Sequence, residues 1–229
     1  MDKIPFSVYD FFAYLFSGAV ILVAVDYIWG TGILTQKDVG AVMGVALIIF
    51  AYVTGQIVAH LSSAMLEHFF IMRVLQPPSL LLLGHRPRWV VFKWLFPHYH
   101  QALPANIQQQ VKEQAASRGC HAHGEGFFLH AYPIVTANDR VQARLDEFRN
   151  QYGFSRNMAF AFLASAAAIG VAHWYGPHPV RLRWAILAAV VSLCVFYRYL
   201  KFFHQYSYEL FIRYAALPIT DTKRAAGGA

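Results

Sequence analysis

The sequence predicts an all-α integral membrane protein: four transmembrane helices in two hairpins, the second and fourth extended as cytoplasmic stalks, with a small cytoplasmic region between the hairpins. Composition is the first observation behind this reading. Hydrophobic residues make up 57% of the chain and charged residues 14%, against a usual charged share of about 25% in soluble domains. The second is the stretch from Gly40 to Leu75, which holds no proline and only Glu67 and Arg73 as formal charges. At about 1.5 Å per residue it would reach roughly 54 Å, well beyond a hydrocarbon core of roughly 30 Å. The third is the charge asymmetry. Lys37, Arg181 and Arg183 lie beside the two short turns, while the other 16 of the 19 basic residues lie at the termini or in the middle region. Basic residues concentrate on the cytoplasmic side, so both termini and the middle region are expected there.

The elements follow in order. Residues 1–78 read as the first hairpin and its stalk. The run from Phe11 to Val25 is uncharged and aromatic, and the residues before it carry Asp2, Lys3 and Asp10. A cleaved signal peptide would have a positively charged start and a small-residue cleavage site, so the run is read as a retained span. The long second helix is stopped by Gln76, Pro77 and Pro78. Residues 79–152 turn basic and histidine-rich: a short aromatic helix near Val90, a polar helix from Ala105 to Ser117, a glycine-containing stretch read as irregular, and an amphipathic segment from Asn138 to Gln151. Residues 153–218 form the second hairpin. Its first span, Asn157 to Tyr175, is rich in alanine, serine and glycine, which lets neighbouring helices approach closely. Its second runs from Leu182 to Leu217 and ends at Pro218. Residues 219–229 read as a flexible tail. Two cysteines, Cys120 and Cys194, give no disulfide framework.

The candidate functional residues fall into three groups. Tyr52, Gln56, His60, Ser63 and Glu67 lie within about 80° of one another if the second helix winds at 100° per residue. Intramembrane polar groups are costly unless paired or wetted, so this stripe is the candidate pore or gate lining, with interhelical hydrogen bonding as the plain alternative. Arg86, Arg88, Lys93 and Trp94 sit in a basic, aromatic strip that suits a helix lying on anionic lipid. Phosphate contact with nucleic acid uses the same residue types, and the adjacent span favours the membrane. Cys120, His121 and His123 are the candidate metal ligands, although no CxxC or HExxH spacing accompanies them. There is no GxSxG, Walker A or GxGxxG motif, and no cofactor is expected.

Two resemblances add to these readings. Arg118 and His123 form an R-x4-H pattern that resembles the catalytic signature of HEPN-type ribonucleases, which implies a membrane-tethered RNase with those residues as its catalytic pair. The opening PFSVYDFFAYLFSG and the segment FRNQYGFSRNMAFAF look like small bacterial membrane proteins. The plan of a few helices plus a cytoplasmic region is similar to membrane effectors of bacterial antiphage systems. That resemblance implies an oligomeric, triggered pore that permeabilises the inner membrane. A membrane-anchored scaffold that recruits a soluble cytoplasmic protein is the other class of function compatible with the architecture.

Overall fold

A computed structural model describes residues 8–36, 40–175 and 181–218. The flexible tail expected at 219–229, the turn at 176–179 and Lys37 lie outside the described residues. Among the described residues every regular element is helical. Four helices are long and apolar enough to cross a membrane. The chain forms two compact units, Met1–Phe69 with Asn150–Tyr199, and Phe70–Arg149 with Leu200–Ala229.

The first unit is built on α1 (Val8–Trp29), α2 (Ala41–Ser62), most of α7 (Asp139–Tyr175) and the first half of α8 (Leu182–Ala215). α1 and α2 pack antiparallel with backbone against backbone. A Cβ on Gly18 would lie 1.7 Å from the Ala51 carbonyl oxygen, and one on Gly55 would lie 1.8 Å from that of Tyr14. Only glycine fits at either place. Ser17, fully buried, returns its hydroxyl to the Ala13 carbonyl at 2.8 Å, so it brings no unmet polar group to the contact. The alanines of α7 do what small residues do between apolar helices. Ala159 and Ala161 are almost completely buried, and the Ala159 carbonyl accepts the Ser192 hydroxyl of α8 at 2.8 Å.

Two features of the helices differ from the sequence reading. The second helix does not keep one winding: from Ser63 to Leu75 it is π-helical, closed by the Gln76 amide donating to the Ile71 carbonyl five residues back, at 2.8 Å. Gln76 then takes a positive φ of 71° and Pro77 follows, which ends the helix. The amphipathic segment from Asn138 and the third span are a single helix, α7, of 37 residues. Polar and apolar patterns change at Asn157, and nothing there breaks a helix.

The second unit packs α3 (Pro78–Leu82), α4 (Val90–Leu95), α5 (Ala105–Ser117) and α6 (Gly124–Thr136) with the start of α7 and the end of α8. α6 occupies the stretch read as irregular. Gly124, Gly126 and Pro133 hide its pattern, yet Phe127, Ala131 and Val135 recur every four residues and are all buried. Phe127 meets the rings of Phe211 (5.4 Å) and Tyr214 (5.2 Å) on α8. The polar closures are specific. His204 bonds the Gln101 carbonyl at 2.9 Å, Tyr99 donates to the Gln76 carbonyl at 2.9 Å, and Gln114 donates to the carbonyl of Leu217. Glu209, buried, is held between Arg144 at 3.1 Å and Arg213 at 3.0 Å.

Candidate functional site

The polar stripe of the second helix divides where its winding changes. Tyr52 is half-buried in the α1 contact, stacked on Phe11 at 5.3 Å and edge-on to Tyr14 at 5.9 Å. Gln56 and His60 are exposed, set among the exposed apolar side chains Val53, Ile57 and Leu61. They lie in the last two turns of α2, about one turn apart, and they belong to a helix whose mean composition is that of a bilayer span. Ser63 and Glu67 fall in the π-helical stretch, where an i to i+5 ladder widens each turn and moves side chains off the 100° schedule. They turn to a different partner.

That partner is α7. Glu67 accepts a charge-assisted hydrogen bond from the Arg156 guanidinium, with the two side chains 20% and 15% exposed. The Ser63 hydroxyl adds a longer contact to the same carboxylate at 3.4 Å. Next to Arg156, the Asn157 amide oxygen accepts from Ser62 at 2.7 Å and from Arg156 at 3.4 Å. Ser62 and Asn157 are both buried. Five side chains from two helices thus form one network at the end of the apolar part of α2 and the start of the apolar part of α7. In a low-dielectric setting such a pair holds only when its remaining donors and acceptors are met, and here Ser62, Ser63 and Asn157 meet several of them. Arg156 and Asn157 carried no role in the sequence reading. The signal was present: an acid at the end of one apolar run and a base at the matching end of another are complementary charges at one depth.

In the second unit, α4 presents Trp89, Val90, Val91 and Trp94 outward, Trp94 at 85% exposure, while Phe92 turns inward to Phe70 and Phe96. Arg86, Arg88 and Lys93 are exposed around this patch, and Arg88 also donates to the Arg73 carbonyl at 2.9 Å. Cationic groups beside exposed tryptophans are the composition of a lipid-surface contact.

Arg118 and His123 take separate partners. The Arg118 guanidinium lies over the Tyr214 ring, 5.5 Å from its centroid, and the His123 ring meets His85 at 4.8 Å. Arg118 caps the end of α5 and His123 precedes the first turn of α6, so the R-x4-H pattern spans an interhelical loop. Cys120 is half-buried with its thiol directed to the His121 carbonyl at 3.6 Å, and His121 is exposed. Among the described residues no three His, Cys, Asp or Glu side chains come together in a way that could hold a metal ion. Cys120 and Cys194 are free thiols.

Comparison with protein families, curated proteins and solved structures finds no match to this chain. The functional reading therefore rests on the residues themselves. The Glu67–Arg156 network engages both terminal nitrogens of the guanidinium, leaves its buried Nε without an acceptor, and has the character of a clamp between helices. Gln56 and His60 are different, because both are exposed beside the exposed apolar side chains Val53, Ile57 and Leu61.

Proposed function

We propose that this chain is a multi-pass inner-membrane protein with cytoplasmic termini, whose four spans form two hairpins with stalk extensions. In this reading several copies assemble with their α2 faces inward, and Gln56 and His60 line a gated, ion-permeable path. The observation that carries the reading is the exposure of Gln56 and His60 in the second half of an apolar, membrane-length helix. A glutamine amide and an imidazole facing hydrocarbon cost several kcal/mol together. Facing water, or each other across copies, they cost little. The basic residues clustered at the termini and middle region support the orientation. The resemblance in plan to antiphage membrane effectors supports a triggered role in defence, with the second unit as the part that receives the trigger.

The test has two arms. Cysteine placed at Gln56 or His60, in a chain with Cys120 and Cys194 replaced by serine, should cross-link between copies in membranes, and cysteine at Val58, buried on the opposite face of α2, should not. In bacteria carrying the protein, a voltage-sensitive dye should report depolarisation that Gln56→Leu/His60→Leu abolishes while expression and cross-linking at other α2 positions persist. Persistent polarisation in every condition with a well-expressed protein would refute the pore and favour a membrane scaffold.

A further inference from the structure

Within the first unit, α1, α7 and α8 leave a cleft of about 640 Å³. Its walls are predominantly apolar, with Phe16, Val20 and Val23 on α1, Phe162 on α7, and Leu187 and Val191 on α8, and Ser165 on α7 adds a hydroxyl. On α1 the lining runs from Phe16 to Tyr27 and on α7 from Met158 to Ile169. Eleven residues of helix rise about 16 Å, which is half of a hydrocarbon core of roughly 30 Å. The cleft therefore has the length of one leaflet, and its volume is within the range of roughly 300–1,000 Å³ typical of ligand sites.

One end of the cleft is chemically distinct. Tyr27 and Trp184 form its rim. The Tyr27 hydroxyl accepts the backbone N–H of Arg181 at 2.9 Å, which ties the start of α8 to the end of α1. The Arg183 guanidinium lies over the Trp184 ring, 5.3 Å from its centroid, and both arginines are exposed. The acid nearby in sequence, Asp26, is engaged with the Thr31 hydroxyl and with the Ile33 amide at 2.9 Å. Among the described residues at this end, two guanidinium groups against one carboxylate leave one net positive charge. An apolar slot of leaflet length beneath aromatic rings and exposed cationic donors is complementary to one molecular class.

We propose that this cleft is a binding site for an anionic phospholipid, with an acyl chain in the slot and the headgroup phosphate at Arg181 and Arg183. The inference rests on reading α1, α7 and α8 as membrane spans, and it is independent of whether α2 lines a pore.

The test uses the full chain in nanodiscs with Trp184 as its single tryptophan, the other four replaced by phenylalanine. Brominated phosphatidylglycerol or brominated phosphatidylcholine is added as a minor component, since bromine quenches tryptophan on contact. One net charge near a lipid headgroup corresponds to about fivefold enrichment of the anionic lipid, so brominated phosphatidylglycerol should quench as if its mole fraction were about five times higher. Arg181→Ser/Arg183→Ser should bring the two lipids level, and Ala188→Phe, which fills the slot, should reduce quenching by the anionic lipid alone. Equal quenching by both lipids in the unaltered rim would overturn the proposal while leaving the spans intact. Quenching by neither lipid would overturn the membrane reading itself if Trp184 is open to aqueous iodide, and would place the helix of a second copy in the cleft if it is shielded. Native mass spectrometry of the chain with all its tryptophans provides a second readout. Retained phosphatidylglycerol that the double arginine variant loses is the expected result, and indiscriminate retention is the opposing one.

Discussion

Replacing Gly55 by alanine adds one methyl group, and the structure gives that methyl nowhere to go. Its Cβ would lie 1.8 Å from the Tyr14 carbonyl oxygen and 2.5 Å from the carbon behind it, both backbone atoms of α1. Carbon contacts settle near 3.5 Å, so the two helix axes must part by roughly 1.5 Å, and a gap of about 1 Å already forfeits up to half of each dispersion contact. Overpacking of this kind costs about 1–3 kcal/mol or more. The same exchange at Gly44, on the same helix, meets no atom within 4 Å. There the only change is propensity, which favours alanine by up to about 1 kcal/mol. Gly55→Ala should therefore destabilise by about 2–3 kcal/mol while Gly44→Ala is neutral or stabilising. Reversible unfolding in mixed detergent micelles, followed by far-ultraviolet circular dichroism, measures both. The reasoning fails if the two variants move the midpoint in the same direction by the same amount.

Other expectations follow from the same geometry. Removing either charge of the mostly buried Glu67–Arg156 pair should cost about 3–5 kcal/mol, whereas Glu67→Leu with Arg156→Met should recover most of the loss; a double-mutant cycle in micelles reads the coupling. Ser165→Ala should be neutral or mildly stabilising because its hydroxyl is buried and unmet, and Ser62→Ala should cost about 1–2 kcal/mol by stranding part of the Asn157 amide, so the order of their unfolding midpoints is the check. Phe127→Ala should cost about 3–5 kcal/mol and loosen the second unit, seen as lost amide protection in α6. Trp89→Ser with Trp94→Ser should leave stability within about 0.5 kcal/mol, since both rings are exposed, and should reduce the protection of α4 from proteases in lipid but not in detergent.

Periodicity revealed what periodicity encodes. The four long apolar helices and the bounds of α5 were legible because each is a sustained pattern closed by proline, glycine or a change of composition. α6 was obscured by Gly124, Gly126 and Pro133, which look like punctuation although two of them sit in the first turn and the third leaves the buried face of Phe127, Ala131 and Val135 intact. The split of the polar stripe was hidden for another reason. A π-helical stretch has no distinctive composition, so a projection at 100° per residue carried Glu67 onto the face of His60 when the chain turns it toward Arg156. Gln56 and His60 were legible as polar residues in an apolar helix. Their exposure depends on what α1 and α7 cover, which no single segment records.

The division of the chain also bears on how the protein is made. Neither unit is a continuous piece of sequence, and the breaks fall inside helices, between Phe69 and Phe70, Arg149 and Asn150, and Tyr199 and Leu200. The core of the second unit needs Phe211 and Tyr214 against Phe127, and its buried Glu209 faces Arg144. During synthesis α5 and α6 thus leave the ribosome long before the residues that complete their packing. Between the synthesis of Phe127 and that of Tyr214 the unit exists as an open half, with Phe127 uncovered and dependent on α8. A truncation before Leu200 would therefore leave that unit permanently unfinished, and its exposed aromatic face would mark the product for quality-control proteases. Any single crossover within the chain would divide at least one of the two units between its parents.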